Sequence, residues 1–237
     1  MKPILFNTEM VRAILDGRKT VTRRVVKQGK STPKYHNRDK FYGVVDHLNN
    51  DYKNWYAGFY NDNDIFYGAN GERLIDAIYF KAPYKVNDIL YVRETWNEWT
   101  GGYVYKAWNL PFPQAGAYGQ WKPSIHMPKE AARIFLRVTD VRVEKLRDME
   151  LEDFFDEGIQ LSPVVLRGSN QMLTGSERER AIECREKLQA REKFRDLWDS
   201  TAGKPHTPER YANSWNGNPY VWVIEFEVIT ADQARGD

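Results

Sequence analysis

The sequence has few of the residues that cross-link small domains or hold metals. Only one cysteine, Cys184, occurs in 237 residues, so neither an internal disulfide framework nor a cysteine-based zinc site can form. The four histidines, His36, His47, His126 and His206, lack metal-ligand spacing, and no glycine-rich phosphate-binding loop is present. We therefore expect a site that works without a metal or another cofactor.

Long apolar runs are also missing. No stretch approaches the roughly 20 apolar residues that a membrane-spanning helix needs. The apolar run that follows Met1 is too short for a signal peptide. The net charge is only +2, so any preference for anions must arise locally. These features predict a soluble, cytoplasmic protein with no membrane partner, and they are compatible with a monomer.

The composition supports a buried core, with 41% hydrophobic and 14% aromatic residues. We expect one α+β domain over residues 1–237, with an insert at residues 34–80 and a helical or loop elaboration at residues 162–215. Predicted strands and helices do not alternate along the chain. A mixed or antiparallel sheet, curled into a small barrel with flanking helices, fits this order better than a doubly wound sheet.

Local sequence patterns predict the positions of strands, loops and helices. Strands are predicted at residues 4–6, 87–96, 133–146 and 220–229, with residues 103–108 pairing with the second of these. The last strand directs Trp222, Ile224, Phe226 and Val228 to one face. Residues 41–80 are predicted to form hairpins and loops, and residues 109–130 and 199–219 to form loops. Helices are predicted from Asn7 or Thr8 to Gly17, from Asp148 to Gly158, and over residues 176–198.

The first candidate site is the basic segment that follows Gly17. Lys19 and Thr22 are a base and a hydroxyl, and a lysine that is desolvated near other cations can lose its proton. Arg18, Arg23 and Arg24 are its cationic neighbours in the sequence. The competing interpretation is a solvated basic loop. Positions 19 and 22 of a straight strand point to opposite faces, so the backbone must bend if both side chains meet one substrate.

A second candidate is Glu157, immediately before Gly158 at a predicted helix end. The partial negative charge at a helix C-terminus disfavours an ionised acid, which suits a general acid or base. The competing interpretation is an exposed acid, like the neighbouring acids Glu152, Asp153 and Asp156.

A third candidate is the irregular segment that contains Trp121, Ser124 and His126. It offers an aromatic ring for stacking a base, a hydroxyl and an imidazole. Three residues at the end of a predicted strand could join it: Arg93, Glu94 and Trp96. The competing interpretation is that the tryptophans only pack in the core or at its rim.

Four segments together resemble an ASCH domain of the PUA-like superfamily: residues 2–7 (KPILFN), 17–24 (GRKTVTRR), 88–96 (DILYVRETW) and 220–226 (YVWVIEF). The resemblance implies a pseudo-barrel with a basic cleft for RNA or modified nucleosides. Some small members are amidohydrolases that release cytidine from N4-acetylcytidine. Their lysine and threonine correspond to Lys19 and Thr22, and their glutamate corresponds to Glu157. Three further residues within these segments are expected to contact the substrate: Phe6, Asn7 and Arg24.

The leading hypothesis is therefore hydrolysis of an N4-acylated cytosine or cytidine. Lys19 would take a proton from Thr22 or from water, Arg24 or Lys19 would stabilise the oxyanion, and Glu157 would pass a proton to the leaving amine. One alternative is a binding module for RNA or modified nucleotides, based on the basic segment 18–40. Another is a ribonuclease in which Lys19 and Glu157 act as acid and base.

Overall fold

The computed structural model describes residues 1–26, 40–45, 55–60, 65–67, 73–75, 78–108, 120–164, 175–202 and 208–236. The strands in these ranges are β1 (Lys2–Leu5), β2 (Val21–Val25), β3 (Lys40–Val45), β4 (Tyr56–Tyr60), β5 (Ile65–Tyr67), β6 (Arg73–Ile75), β7 (Ile78–Lys81), β8 (Ile89–Arg93), β9 (Trp96–Trp99), β10 (Gly102–Tyr105), β11 (Phe135–Lys145) and β12 (Tyr220–Ile229). The helices are α1 (Thr8–Leu15), α2 (Leu151–Asp156), α3 (Gly175–Ala202), α4 (Pro208–Asn213) and α5 (Ala231–Arg235).

The central sheet has the strand order β1-β8-β11-β12-β2. β1 runs parallel to β8, and the other neighbouring pairs are antiparallel, so the predicted mixed α+β sheet is confirmed. β1 and β2 are its two edges, and no backbone ladder joins them within the described residues. A side chain connects these edges instead, because Arg24 Nη2 on β2 donates to the Leu5 carbonyl on β1 at 3.0 Å.

β12 lies at the centre of the hydrophobic core because both of its faces are buried. Trp222, Ile224 and Phe226 pack in a cluster with residues of α1, whereas Val221 and Val223 pack in a second cluster with residues of α2 and α3. The predicted apolar face is confirmed over its first three members. Its fourth member, Val228, is 55% exposed because the strand there extends beyond both clusters.

Both helices beside the candidate site end as predicted. Asn7 caps α1 by accepting from the Met10 N–H, and Gly17 follows α1 with φ +72°. Gly158 follows α2 with φ +91°. The predicted start of α2 is wrong, because Glu150 rather than Asp148 is the N-cap. Asp148 lies in a preceding 3-10 turn, and Glu150 forms a capping box with Asp153 that satisfies the first-turn N–H groups.

The predicted strand over residues 87–96 is divided in two. β8 ends at Arg93, and β9 begins at Trp96. The predicted partner of that strand, residues 103–108, does not pair with β8; Gly102–Tyr105 pairs with Trp96–Trp99. A tight turn at Thr100 and Gly101, both with positive φ, makes this hairpin local, and short loops close at little entropic cost.

Several other predicted strands, helices and loops are confirmed wholly or in part. The strand signal over residues 133–146, which allowed one or two strands, corresponds to the single strand β11 at Phe135–Lys145, and residues 176–198 lie within α3. The described parts of 41–80 form antiparallel strands, whereas the short helix α4 interrupts the predicted loop over 199–219. Residues 109–119 of the predicted long loop lie outside the described residues, and two 3-10 turns follow them. In the described ranges, no helix combines the length and apolar character needed to cross a bilayer.

Candidate active site

The turn after α1 brings the basic segment against the end of α2. The N–H groups of Arg18 and Lys19 both donate to the Ala13 carbonyl, which closes α1. Lys19 then forms an isolated antiparallel bridge with Glu157, and the Thr20 N–H donates to the Asp156 carbonyl at 2.9 Å. The chain therefore passes the C-terminus of α2 before it enters β2.

Lys19 and Glu157 form a buried ion pair at this crossing. Lys19 Nζ lies 2.5 Å from Glu157 Oε2, and the two residues are only 1% and 4% exposed. Nζ also donates to the Val21 carbonyl at 2.7 Å and to the Glu157 carbonyl at 3.1 Å. An ammonium group has three N–H donors, so these three acceptors engage all of them.

Burial is the main influence on Lys19. Its pKa is lowered chiefly because burial removes water from the ammonium group, while the charge of Glu157 opposes this effect. Arg24 and Arg23 also lower the pKa of Lys19, but they contribute less. The lowered pKa has the direction that the sequence argument expects for a desolvated lysine near other cations, and burial contributes more to it than the cations do.

Arg23 belongs to the same charge cluster, although the sequence did not single it out as a site residue. Its guanidinium is buried and lies 2.7 Å from Asp153 Oδ1, 3.4 Å from Glu144 Oε2 and 3.5 Å from Glu157 Oε1. The signal that could have identified it is strand alternation. Arg23 lies between Thr22 and Arg24 in β2, so its side chain faces the opposite side of the strand from theirs, toward the acids of α2.

Thr22 and Glu157 line one cavity of about 340 Å³ beside the open edge of β2. Thr22 comes from the middle of β2, whereas Glu157 comes from the end of α2. Lys19 lies behind Glu157, and its side chain has no exposed surface. The bend thus occurs before β2 begins at Val21, and it places Lys19 beside the Glu157 carboxylate.

Arg24 lies at the junction of this cavity with a second one of about 650 Å³, because it lines both. Its guanidinium carbon is 5.4 Å from the centre of the Phe6 ring, and Lys19 Nζ is 5.7 Å from the same ring. Burial lowers the pKa of Arg24, and the charges of Glu157 and Tyr84 oppose this effect. Phe6, Asn7 and Ser124 line the second cavity.

Arg93, at the end of β8, and Glu94, immediately after it, hold the scaffold together. Arg93 donates to the carbonyls of Met127, at 2.9 Å, and of Ile125. Glu94 is buried and receives two bonds from Arg133, at 2.9 and 3.0 Å. Burial raises the pKa of Glu94, and Arg133 opposes the rise.

Three aromatic or imidazole candidates lie away from the charge cluster. Trp96 packs in a small separate core that contains Tyr105 and Met127. Trp121 is half-buried and His126 is exposed, and neither belongs to the described lining of the two cavities. Across the described ranges, no group of three or more His, Cys, Asp or Glu side chains is arranged to hold a metal ion.

No protein-family model matches this chain, and comparisons with curated proteins and with solved structures likewise found no match.

Proposed function

We propose that this protein is an amidohydrolase that removes the acyl group from N4-acylated cytosine or cytidine. One observation carries the proposal: the buried Lys19–Glu157 pair stands at the wall of a cavity that Thr22 also lines. These are the three residues that the ASCH resemblance implies. We also propose the PUA-like pseudo-barrel as the fold, which the mixed sheet and the Arg24 link between its edges support.

The geometry favours Glu157 as the group that moves the proton. All three N–H groups of Lys19 are donated, whereas Glu157 is among the residues that line the cavity. Glu157 accepts the proton of the attacking hydroxyl as that oxygen bonds to the acyl carbon. The resulting carboxylic acid then gives the proton to N4 as the carbon–nitrogen bond breaks. Cytidine and the acylated nucleophile result, and Lys19 holds the carboxylate in place throughout.

Arg24 is the better of the two proposed oxyanion partners. Its side chain lines both cavities, and it donates one bond to Leu5 and a longer one, 3.4 Å, to the Arg23 carbonyl. A guanidinium has five N–H donors, so others remain for a ligand. A preorganised cation at a developing oxyanion contributes strongly because it needs no reorganisation during the reaction.

The nucleophile is either water or the Thr22 hydroxyl, and Glu157 serves as the base in both routes. Attack by Thr22 would leave an acyl ester on the protein, which water then hydrolyses. Rapid quenching with N4-acetylcytidine, followed by mass spectrometry of the intact chain, separates the routes. An added acetyl group that disappears in Thr22→Val assigns Thr22 as the nucleophile, and its absence assigns water.

The described cations favour a neutral nucleoside over a phosphate backbone. Arg18 bonds to Asp16 and to the Gly158 carbonyl, and Lys19 and Arg23 pair with acids. The RNA-binding and ribonuclease alternatives need free cations in segment 18–40, and residues 27–39 of that segment lie outside the described residues.

Incubation with N4-acetylcytidine, with cytidine measured by chromatography, tests the activity. We expect turnover by the wild type and a loss of about 10²–10⁴-fold in kcat for Glu157→Gln, the range of general acid–base catalysis. Glu152→Gln is the matched control, because Glu152 is an exposed acid on the same helix. A wild-type protein that releases no cytidine refutes the proposed function.

The role of Lys19 needs a control for folding. Lys19→Met leaves Glu157 buried without its closest partner, which costs roughly 3–5 kcal/mol of stability. Lys19→Met combined with Glu157→Met removes both charges and is expected to recover much of that stability. The double variant should fold and remain inactive. Wild-type activity in the folded double variant would show that the pair is only structural.

A further inference from the structure

The cavity that Thr22 and Glu157 line is also bordered by several apolar side chains, besides Arg23, Arg24 and Asn213. Helix α3 contributes one wall, with Phe194, Leu197, Trp198 and Thr201. Val25 of β2 and Met10 of α1 add further apolar surface. The helix lies in the region 162–215 that the sequence predicts to be an elaboration of the domain. This wall therefore belongs to the elaboration.

The α3 wall is firmly held. Phe194 and Trp198 are buried in the cluster beneath α3. Trp198 Nε1 donates to the Asn213 carbonyl at 2.9 Å, and the Phe194 ring makes an edge contact with Trp215. Leu197 is half-buried and lines the cavity beside them. Packed side chains of this kind give the cavity a definite shape and size.

The two cavities meet at Arg24, which lines both. The larger one offers Asn7, Tyr84, Thr95 and Ser124 together with the Phe6 ring. A scissile N4-amide joins a nucleoside to an acyl group. With the amide at Thr22 and Glu157, the nucleoside faces the cavity that holds these hydrogen-bonding groups and the ring, and the acyl group faces the apolar side chains of α3.

The cavity beside α3 is larger than an acetyl group requires. Three heavy atoms at roughly 30 Å³ each, the share of a water molecule in the liquid, fill about 90 Å³. The cavity holds about 340 Å³. We propose that α3 forms an acyl-binding pocket and that the enzyme prefers N4-acyl groups longer than acetyl. This inference rests on the proposed function and specifies its substrate class.

Comparison of N4-acetyl-, N4-butyryl- and N4-hexanoylcytidine measures the preference. Each buried methylene group should raise kcat/KM by about four-fold until the pocket is full. Leu197→Trp should fill the pocket and lower the ratio of hexanoyl to acetyl turnover by at least ten-fold. Leu188→Trp is the matched control, because Leu188 is 56% exposed on the same helix and lies outside the cavity lining.

Two kinds of failure are distinguishable. If the wild type hydrolyses N4-acetylcytidine but handles the hexanoyl compound no faster, the acyl pocket is refuted and the proposed function stands. If no N4-acylcytidine is hydrolysed, the proposed function fails. Calorimetric titration with hexanoate and with acetate then tests the acyl pocket independently of turnover. Tighter binding of hexanoate that Leu197→Trp abolishes supports an acyl pocket, whereas equal binding of the two carboxylates overturns it.

Discussion

Lys19 shows how strongly one residue depends on contacts that are remote in sequence. Its partner Glu157 is 138 positions away, yet the two charged groups meet at 2.5 Å with almost no exposed surface. Withdrawing two charges from water costs several kcal/mol per ion, which their attraction only partly offsets. Such pairs often mark functional sites, since a perturbed pKa and a fixed geometry suit proton transfer.

Tyr84 provides a test of pH dependence at the level of one side chain. Its hydroxyl donates to the Pro3 carbonyl at 2.7 Å, and burial raises its pKa, while the charge of Arg24 opposes the rise. At neutral pH, Tyr84→Phe should lower the free energy of unfolding by about 1 kcal/mol, the typical net value of one hydrogen bond.

The wild-type advantage over Tyr84→Phe should then shrink at high pH. Above the ordinary tyrosine pKa of about 10, unfolded Tyr84 loses its proton while folded Tyr84 keeps it, so stability falls as pH rises toward the folded value. Urea denaturation of both proteins across this range measures the difference. A difference that stays constant with pH contradicts the raised pKa. Burial also raises the pKa of Tyr105, but both proteins contain this residue, so its contribution to the pH dependence of stability cancels in the difference.

At the level of elements, two helix ends create the site. α1 ends at a left-handed glycine, Gly17, and α2 ends at another, Gly158. Their surroundings differ. A Cβ on Gly158 would lie 2.8 Å from the Ala13 Cβ and 3.2 Å from the Lys19 Cβ, whereas a Cβ on Gly17 would meet nothing within 4 Å. Gly158 therefore permits the close approach of α1 and α2 that the Lys19–Glu157 contact needs.

Alanine at each glycine separates backbone strain from loss of the site. Both substitutions should lower the free energy of unfolding by about 1–2 kcal/mol, because a left-handed backbone conformation is unfavourable for residues with a Cβ. Gly158→Ala should cost more and should also lower kcat, since it pushes α2 away from Lys19. Gly17→Ala should retain turnover. Thermal unfolding and cytidine release measure the two effects, and equal kcat values for the two variants would contradict this role of Gly158.

The alternation of β2 separates the functions of neighbouring residues. Thr22 and Arg24 share one face of the strand, whereas Arg23 turns toward Asp153 and Glu157 on the other. Arg23 also lines the cavity, so the motif divides by strand face: Arg23 pairs with Asp153 and Glu157, and Thr22 and Arg24 lie on the opposite face. This division follows directly from the two-residue period of a strand, once the strand is known to begin at Val21.

At the level of the whole molecule, the small net charge of +2 and the ion-paired motif predict weak dependence on salt. N4-acetylcytidine is uncharged, so kcat/KM should change by less than about two-fold between 50 and 500 mM salt. A site for RNA would instead lose about five-fold in affinity per phosphate contact over the same ten-fold range. A steep decline in kcat/KM with salt would favour the RNA alternatives.

Local sequence signals identified most of the elements near the site and the residues worth considering. A cap and a glycine marked the two ends of α1, a glycine marked the C-terminal end of α2, and alternation marked β12, because these signals act within a few residues. The division between β8 and β9 and the hairpin of β9 with β10 were not predicted. Those depend on which of several compatible strands pair in the folded chain.

Which of the candidates share a site became clear only from the folded chain. It joined Lys19 to Glu157, assigned Arg23 to the same cluster, and placed Arg93 and Glu94 in bonds that hold the scaffold. The sequence could identify a lysine suited to lose its proton, but not the burial that lowers its pKa. Burial and charge pairing depend on chain segments that are far apart in sequence, and folding alone brings those segments together.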